Sequence, residues 1–341
     1  MTILVTGSAG HLGEALMRTL RAEGRAARGL DILASPFTDV TGSIVDRDVA
    51  ARAMEGVRVV LHTATLHKPH IGTHGRQDFV DTNITGTLNL LEEAAAARVE
   101  AFVYTSTTSV FGDAMAPPAH EPAAWVTEDV VPAPKNVYGV TKAAAEDLCQ
   151  LFHRNQRMAV IVLRTSRFFP EADDNPKTRA QWSDDNAKAN EYLYRRVAIE
   201  DVVGAHLAAI GSAPAIGFGK YIVSATSPFT PDDLAALRGR AAEVAGRYVP
   251  GYAAEYARRG WRMFADIDRV YVNERARTEL GWRPQVDFAA LIAGLAAGGT
   301  IRGPMAQAVG AKGYHAEAFA DGPYPMEAAK EISPKIPGEI H

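Results

Sequence analysis

The sequence predicts an α/β fold in which a parallel β-sheet is covered by helices on both faces. Short apolar runs alternate with longer amphipathic patterns through the first half of the chain, as parallel strands joined by crossover helices require. A glycine-rich turn, TGSAGHLG, separates the first apolar run from the first helical pattern. With 341 residues, 47% of them hydrophobic, the chain is long enough to bury a large core.

The individual elements follow from these patterns in order. Strands are predicted at residues 3–5, 27–30, 57–62, 101–104 and 159–164, and helices at residues 12–23, 83–98 and 138–154. The polar stretch 170–188 carries Pro and Asp-Asn turn signals and is predicted to be a loop. Beyond it we expect a short strand and a helix within 196–210, a strand at 221–223, helical structure over 231–259, and an extended Gly- and Pro-rich tail over 301–341.

Charge and composition exclude several classes of function. The net charge is −4 and the pI about 6.2, so no basic surplus indicates a nucleic-acid partner. No apolar run approaches the roughly 20 residues of a membrane helix, and the first residues lack the pattern of a signal peptide. Cys149 is the single cysteine, which rules out an internal disulfide and fits a reducing compartment. We therefore expect a cytoplasmic protein.

The glycine-rich turn has the spacing of a dinucleotide-binding loop. Gly7, Gly10 and Gly13 lie where glycines allow a tight turn, close approach to a pyrophosphate and close packing of helix on strand. The N-terminus of the helix offers unpaired N–H groups to the phosphates. Asp31 ends the second predicted strand about 20 residues further on, where a carboxylate accepts hydrogen bonds from a ribose. Because a 2′-phosphate would repel this carboxylate, the sequence favours NAD over NADP.

A second pattern, YGVTK, places Tyr138 and Lys142 four residues apart on a predicted helix. Residues one helical turn apart emerge on the same face, so the phenol and the ammonium group lie side by side. Alone, the pair is explained as well by chance on an exposed helix. Together with the glycine loop, it indicates a catalytic pair.

Four motifs together resemble the extended short-chain dehydrogenase/reductase family, also called the NAD-dependent epimerase/dehydratase family. They are TGSAGHLG, YTSTTSVFG, YGVTK and ELGWRP, and they occur in the family's order between residue 1 and about residue 290. The resemblance implies a Rossmann-type, doubly wound parallel sheet with a small C-terminal substrate-binding region. It divides the chain into an NAD-binding domain at 1–170, a substrate-binding region at 171–300 that is interleaved with the last strands, and a tail at 301–341.

The resemblance also implies a catalytic set of Thr107, Tyr138 and Lys142. Oxidising a secondary alcohol requires removal of its hydroxyl proton while hydride leaves to the nicotinamide, and a phenol of pKa ~10 is a poor base at neutral pH. We expect the Lys142 cation to lower the pKa of Tyr138 and to hold the nicotinamide ribose. Thr107 is expected to hydrogen-bond the substrate oxygen.

By the same resemblance, the cofactor is contacted by residues that follow the carboxyl ends of successive strands. Asn83 is expected to open the long helix, where capping and cofactor binding coexist. The expected cofactor contacts are Gly7, Gly10, His11, Leu12, Gly13, Asp31, Ser43, Ile44, Thr63, Ala64, Thr65, Asn83, Thr105, Ser106, Tyr138 and Lys142.

The sequence gives conflicting indications of the substrate. Thr108 and Ser109 follow Thr107, where the 4,6-dehydratases of the family carry an Asp-Glu pair, so we do not expect dehydration. The segment after FFPEADD is shorter than in nucleotide-sugar enzymes, and with Arg179 and Trp182 it resembles the uronate dehydrogenases. Those enzymes hold the carboxylate of a free sugar acid with an arginine, here Arg167 or Arg179, although solvated loop arginines explain both residues equally well.

Arg262 and ELGWRP instead resemble nucleotide-sugar enzymes, in which an arginine binds the diphosphate. The histidines of HTATLHKPHIGTH have a metal-like spacing, but no cysteine or acid completes a ligand set, so we predict no metal. The candidate substrate contacts are His67, Lys68, Thr108, Arg167, Arg179 and Arg262.

Three functions remain open from the sequence. The first is an NAD-dependent oxidoreductase acting on a small-molecule sugar or sugar acid. The second is a nucleotide-sugar epimerase with tightly bound NAD. The third, a non-catalytic dinucleotide-binding regulator, is disfavoured because Tyr138 and Lys142 are both retained. The resemblance also implies a homodimer in which helices 83–98 and 138–154 of each subunit form a four-helix contact.

Overall fold

The computed structural model describes residues 1–313 and has the predicted fold class. Strands in this part of the chain are β1 (Thr2–Thr6), β2 (Ala27–Asp31), β3 (Val40–Thr41), β4 (Val57–His62), β5 (Ala101–Thr107), β6 (Ala124–Val126), β7 (Val160–Thr165), β8 (Phe218–Val223) and β9 (Arg269–Tyr271). Seven of them form one parallel sheet in the order β3-β2-β1-β4-β5-β7-β8, and β6 pairs with β9 in a separate parallel ribbon. The α/β prediction is confirmed.

Helices cover the sheet on both faces. In residues 1–313 they are α1 (His11–Ala22), α2 (Arg47–Met54), α3 (Arg76–Phe79), α4 (Gly86–Ala97), α5 (Val137–Gln156), α6 (Pro176–Gln181), α7 (Asp184–Glu191), α8 (Ile199–Ile216), α9 (Leu237–Tyr248), α10 (Tyr252–Arg259), α11 (Glu274–Glu279), α12 (Phe288–Ala296) and α13 (Pro304–Val309). Helices α1 and α8 pack on one face, and α2, α4 and α5 on the other. No helix in this part of the chain is long and apolar enough to cross a membrane.

Strand β1 shows why the sheet needs both layers. Ile3 and Val5 point into the core beneath α1 and α8, whereas Leu4 points into the core beneath α2 and α4. All three are fully buried, and each contributes roughly 1.5–3 kcal/mol by removal from water. Because successive side chains of a strand point to opposite faces, a continuous apolar run requires cover on both sides.

A third core lies in the second half of the chain. Its large side chains include Phe229, Leu237, Tyr256 and Phe288, which pack together with the aromatic residues that follow α7. This core adjoins the sheet at the carboxyl ends of the strands, where β6 and β9 pair. It gives the predicted substrate-binding region a packed interior; the domain boundaries themselves remain predictions.

Sequence reasoning misplaced two elements in this second half. The predicted loop 170–188 is wrong, because it contains α6 and the start of α7. The side chains of Asn175 and Ser183 accept hydrogen bonds from the first turns of these helices, so polar residues taken as turn signals are helix caps. The predicted strand in 196–210 is a single bridge between Arg167 and Arg196, and α8 occupies the segment through Ile216.

Three helix predictions need smaller corrections. The helix predicted to begin at residue 83 is part of a run that starts with α3 and passes through a π-helical turn at Val80–Thr85 before α4. The helical stretch 231–259 is divided into a 3₁₀ turn, α9 and α10. The tail predicted as extended forms helix α13, while residues 314–341 lie outside the described residues.

Candidate active site

A cleft of about 1280 Å³ runs along the carboxyl ends of the parallel strands. The chain runs outward from β1 to β3 and then crosses to β4 on the other side of β1, so the cleft lies at the switch point of the sheet. Open α/β sheets bind their ligands at this point. The glycine loop lines one end, and Arg195, Arg269 and Tyr271 line the other.

The glycine loop requires glycine at two positions. Gly7 has a φ of 70°, and a Cβ there would lie 2.8 Å from the backbone N of Ala64. At Gly13 a Cβ would lie 1.9 Å from the carbonyl oxygen of Gly7. The N–H of Gly10 bonds to the same carbonyl at 3.0 Å and closes the turn. Gly10 has no side chain with which to cap α1, so the positive end of the helix is left toward the cleft.

Asp31 ends β2 beside this loop. Its carboxylate accepts the N–H groups of Ala9 and Leu33, each at 2.9 Å. Ile32 and Leu33 are 66% and 62% exposed and line the cleft next to it. Sequence reasoning missed this exposed apolar surface, although it directly follows Asp31. A carboxylate beside an apolar surface suits ribose hydroxyls and a flat base. The predicted Ser43 and Ile44 line the cleft here as well.

A buried chain of hydrogen bonds fixes the loop after β4. Thr87 donates to the carbonyl of Asn83 at 2.7 Å, so its oxygen accepts from His62 Nε2 at 2.9 Å. His62 Nδ1 then accepts the hydroxyl of Thr6 at 2.7 Å, and the Thr6 oxygen accepts the N–H of Ala64 at 3.2 Å. The predicted cofactor residues Thr63, Ala64 and Thr65 are thereby held along the cleft.

Asn83 was expected at the start of the long helix and in contact with the cofactor, but it lies buried inside a helical run. It is 1% exposed, and among the described residues it is not one that lines the cleft. Its Oδ1 accepts from the Thr65 hydroxyl and the Leu66 N–H, each at 2.8 Å, and its Nδ2 donates to Thr141 Oγ1 at 3.0 Å. Because Asn83 lies inside a helical run, it ties the loop after β4 to α5 and does not open the long helix.

The predicted catalytic residues come together at the end of β5. Tyr138 and Thr107 both line the cleft, as do Thr105, Ser106 and Thr108. Lys142 lies one turn behind Tyr138 on α5 and is 2% exposed. Its Nζ donates to the backbone carbonyl of Thr105 at 2.6 Å and lies 4.1 Å from the centre of the Tyr104 ring.

Burial controls the proton affinities of this pair. It raises the pKa of Tyr138 to about 12, although the nearby Thr107 hydroxyl acts in the opposite direction. It lowers the pKa of Lys142 to about 7. The expected lowering of the Tyr138 pKa by Lys142 is therefore wrong in this structure, because removal from water disfavours both charged forms. Tyr138 is protonated at neutral pH.

Sequence reasoning missed Glu146, which lies one further turn along α5. Glu146 is 1% exposed and forms an ion pair with Arg164, with 2.7 Å between Oε2 and Nη2. It also accepts the hydroxyl of Ser106 at 2.6 Å and pairs with Lys220 at 3.1 Å. Its spacing from Lys142, four residues, is the signal that identifies it from the sequence.

His206 of α8 is a second missed residue. Its Nδ1 lies 2.8 Å from the carbonyl of Val202 and must donate there, so its Nε2 accepts the hydroxyl of Thr105 at 2.8 Å. Burial lowers the pKa of His206 to about 4, which keeps the ring neutral at physiological pH. His206 thus fixes the residue whose carbonyl holds Lys142.

Charged side chains fill the other end of the cleft. Arg167 pairs with Asp173 at 2.6 Å and with Glu191 at 2.8 Å, and Lys68 pairs with Asp174. Burial favours the neutral form of Glu191, but three neighbouring guanidinium groups outweigh it and lower its pKa to about 2. The predicted substrate residues Lys68 and Arg167 line the cleft within this ion-pair cluster.

Two predicted substrate residues lie elsewhere. Arg179 donates to the carbonyls of Asp173 and Asp174 at 2.7 and 3.0 Å. Arg262 donates to the carbonyl of Gln181 at 2.7 Å and lies 4.6 Å above the ring of Trp182. In the described part of the chain, neither arginine is among the residues that line the cleft.

An aromatic wall connects the two ends of the cleft. The ring of His67 stacks on Phe169 at 5.4 Å and meets the ring of Tyr138 edge-on at 6.4 Å. His11 contacts Phe169 from the other side at 5.5 Å, and its Nε2 lies 2.7 Å from Glu171 Oε1. His67 and His11 were predicted, whereas Phe169 and Glu171 were missed because they stand at the start of the presumed loop.

Comparison with known proteins decides the family. The family described as “NAD dependent epimerase/dehydratase family” matches residues 3–216, more than half of the chain. The chain belongs to this family. The resemblance drawn from the four motifs is confirmed, and the protein is an enzyme of the epimerase/dehydratase family.

Curated relatives of this epimerase/dehydratase chain match it over part of their length. A dTDP-glucose 4,6-dehydratase from Streptomyces niveus is 32% identical over 191 residues, which cover 50% of this chain and 55% of the relative. A Bacillus subtilis protein named as the uncharacterized UDP-glucose epimerase YtcB is 28% identical over 48% of this chain and 55% of its own length. A 3β-hydroxysteroid dehydrogenase/isomerase from Mycobacterium tuberculosis is 37% identical over 32% of each chain. The chain thus spans about half the length, or less, of these relatives.

Solved structures show the same fold along most of the chain. A short-chain dehydrogenase/reductase superfamily protein from Agrobacterium tumefaciens with bound NAD has a TM-score of 0.61 at 23% identity, covering 87% of this chain and 96% of that protein. The UDP-N-acetylglucosamine 4-epimerase of Bacillus cereus has a TM-score of 0.60 at 18% identity, covering 88% and 100%. At these identities the likeness establishes the fold.

The residues present fit a nicotinamide dinucleotide. The backbone cradle at Gly7 and Gly13 has no room for a side chain, and the uncapped N-terminus of α1 opens beside it. Asp31 and the apolar surface next to it stand at one end of the cleft, and Tyr138 stands further along it. The donor set therefore matches a phosphate-binding turn, a ribose acceptor and a proton-transfer group in that order.

Proposed function

We propose that the protein is an NAD-dependent oxidoreductase that transfers hydride at a secondary alcohol or ketone of a sugar or sugar acid. The observation that carries the proposal is the junction of β5 and α5. There Tyr138 and Thr107 open onto the same cleft as the glycine loop, and Lys142 lies behind them, bonded to the carbonyl of Thr105.

The chain's own residues would handle the proton of the reaction. NAD, when bound, supplies the hydride chemistry. Tyr138, protonated at neutral pH, would donate its proton to a carbonyl oxygen in reduction, whereas in oxidation its deprotonated, phenolate form would take the hydroxyl proton. Thr107 would hold the same oxygen by a hydrogen bond. Lys142, whose pKa of about 7 leaves a large charged fraction near neutrality, would hold the end of β5 in place through its hydrogen bond to the carbonyl of Thr105.

The choice of NAD over NADP is supported by Asp31. Its carboxylate lines the cleft and, within residues 1–313, accepts two N–H groups at 2.9 Å each, so oxygen lone pairs remain for ribose hydroxyls. A 2′-phosphate at this place would be repelled by the negative charge of the Asp31 carboxylate.

A polar sugar-type substrate is supported by the far end of the cleft. Lys68, Arg167 and Arg195 line it together with acids that pair with them, so the surface offers many donors and acceptors with a cationic edge. Such a surface suits hydroxyl groups and a carboxylate. Dehydration, the activity named for the Streptomyces niveus relative, is disfavoured because Thr108 and Ser109 follow Thr107 where an acid pair would be needed.

The size of the cleft favours a second candidate, a nucleotide-sugar epimerase with retained NAD. Its volume of about 1280 Å³ exceeds the roughly 300–1,000 Å³ of ordinary small-molecule sites and leaves room for a nucleotide beside the cofactor. Epimerases that act on UDP sugars are among the proteins with this fold. Against it, Arg262 is engaged with Gln181 and Trp182, away from the diphosphate position expected from the sequence.

A cofactor-coupled screen tests the proposal. Purified protein is mixed with NAD or NADP and, in separate wells, with free hexoses, uronates and nucleotide sugars, and the absorbance of reduced nicotinamide is followed. Accumulation of NADH with a hexose or uronate supports the proposal. Epimerised nucleotide sugar without net NADH supports the second candidate, and NAD binding without product from any class contradicts both.

We further propose that the protein forms a homodimer through α4 and α5. Val140 and Leu151 on α5 are large apolar residues that are 52% and 38% exposed, and a partner subunit would cover them. Light scattering of the full chain tests this proposal: a mass near 73 kDa, about twice the 36.6 kDa of one chain, supports a dimer. A mass equal to one chain contradicts it.

A further inference from the structure

The described chain returns to the glycine loop at its C-terminal end. Helix α13 packs against both α1 and α8, and residues 310–313 continue from it onto the first turn of α1. Lys312 and Gly313 line the same cleft as Gly10 and His11. None of the sequence motifs indicates a contact between these segments.

Specific contacts fix the position of α13. Glu200 Oε1, at the start of α8, accepts the N–H groups of Met305 and Ala306 at 2.8 and 3.3 Å. Gly303 permits this approach, because a Cβ there would lie 2.4 Å from the same oxygen. Val309 is 7% exposed in the core shared with α1 and α8. Lys312, three residues later, is therefore held at a defined place.

Lys312 makes contacts through both its side chain and its backbone. Its Nζ pairs with Oε2 of Glu14, the residue directly after Gly13. Its backbone N–H lies 3.2 Å from Glu171 Oε1 and 3.1 Å from His11 Nε2. The segment thus bridges the first turn of α1 and the loop after β7.

Glu14 gives these contacts a consequence for cofactor binding. It is 5% exposed and carries a negative charge in the first turn of the helix whose N-terminus would receive a pyrophosphate. Arg18 pairs with its Oε1 at 2.7 Å, and Lys312 pairs with its Oε2. Glu171 adds a second carboxylate to this cluster beside His11. Without Lys312, Arg18 would be the one cation paired with Glu14 among the described residues.

We propose that Lys312 belongs to the cofactor site: it neutralises Glu14 at the pyrophosphate end of the cleft, and so holds the dinucleotide in place. The inference rests on the proposed function for the identity of the cofactor as NAD. It makes residues 310–313 a part of the dinucleotide site, although they lie far from the glycine loop in the sequence.

The test measures NAD binding to the full chain by titration calorimetry and NAD release by stopped flow, so that it does not depend on turnover. Lys312→Met is expected to raise the Kd for NAD on the order of tenfold, because it leaves Glu14 charged beside the phosphates with one cation only. The double variant Lys312→Met/Glu14→Gln removes one cation and one carboxylate, so it keeps the net charge of the wild type and is expected to return to within about twofold of its Kd. Arg240→Met, which removes an exposed cation paired with Glu243 on α9, is the matched control and should bind as the wild type does.

Two results would overturn the inference. One is an unchanged Kd in Lys312→Met. The other is a raised Kd that Glu14→Gln does not restore, as expected if the segment only packs against α1. A wild-type chain that fails to bind NAD overturns the proposed function as well, whereas a wild type and a Lys312→Met variant that bind NAD equally overturn this inference alone.

Discussion

Lys142 donates a 2.6 Å hydrogen bond from its Nζ to the backbone carbonyl of Thr105. This bond ties α5, which carries Tyr138, to the strand that ends in Thr107. The hydroxyl of Thr105 bonds in turn to His206 on α8, which covers the opposite face of the sheet. One strand residue therefore connects the proposed catalytic lysine to both helical layers, and the geometry of the site depends on the packing of the whole sheet.

Replacing Tyr138 with Phe is expected to reduce turnover about 100- to 10,000-fold while the affinity for NAD stays unchanged. The substitution removes the hydroxyl that exchanges a proton with the substrate and keeps the buried ring. Steady-state NADH formation and NAD titration measure the two effects separately. Tyr248→Phe is the control, because its hydroxyl bonds to Asp233 on the far side of the chain and its loss should leave the rate unchanged. Full turnover by Tyr138→Phe would contradict the assignment.

Lys142 is expected to make the stability of the protein rise with pH above neutrality. Its folded-state pKa of about 7 lies below the unfolded value of about 10.4, so the unfolded chain holds the proton more tightly between these values. The penalty for the buried charge is full below about pH 7 and falls above it, by up to about 1.4 kcal/mol per pH unit. In Lys142→Met this slope should disappear from urea unfolding between about pH 7 and pH 9.5, and the exposed-site control Lys135→Met should retain it. Equal slopes in all three proteins would show that Lys142 is not charged and buried in this way.

His206 is expected to destabilise the fold in mild acid. Its folded-state pKa of about 4 is below the unfolded value of about 6.5, so protons favour the unfolded chain in this interval. The free energy of unfolding should therefore fall as the pH is lowered from about 6.5 to 4, by up to about 1.4 kcal/mol per pH unit from this residue. His206→Gln binds no proton, so its decline should be shallower, whereas the variant His120→Gln at an exposed site should follow the wild type. Indistinguishable curves for wild type and His206→Gln would contradict this account.

Strands and turns such as β4 and the glycine loop were predictable because the residues within each of them determine its conformation. Residues 57–62 form β4 over its full predicted length. The run is apolar apart from exposed Arg58 and the terminal His62, and burial of its side chains on both faces of the sheet stabilises it as a strand. The glycine loop was equally readable, because the close approach of Gly13 to Gly7 is a property of neighbouring residues. Tyr138 and Lys142 were identified from their helical spacing together with the glycine loop and the family resemblance.

The features that were not predicted from the sequence depend on contacts between distant segments or on burial, which the local pattern does not encode. Lys312 reaches Glu14 from nearly the other end of the chain, and no periodicity links the two segments. Arg262 was expected at a diphosphate but lies on Trp182, because α6 and α7 form where polar residues had indicated a loop. The sign of the Tyr138 pKa shift was missed because the sequence does not reveal how deeply the hydroxyl is buried.

Replacing Glu146 with Gln is expected to destabilise the protein by about 3–5 kcal/mol, since it leaves the buried Arg164 guanidinium without its carboxylate partner. Removing both charges together, as Glu146→Leu/Arg164→Met, should cost far less, because apolar side chains of similar volume need no counter-charge. Glu243→Gln, which breaks the exposed pair with Arg240, sets the scale of a surface pair at less than about 1 kcal/mol. Denaturant unfolding of the four proteins at one pH measures the differences. If the double variant were as unstable as Glu146→Gln, the cost would come from lost packing around α5 and not from an unpaired charge beneath Lys142.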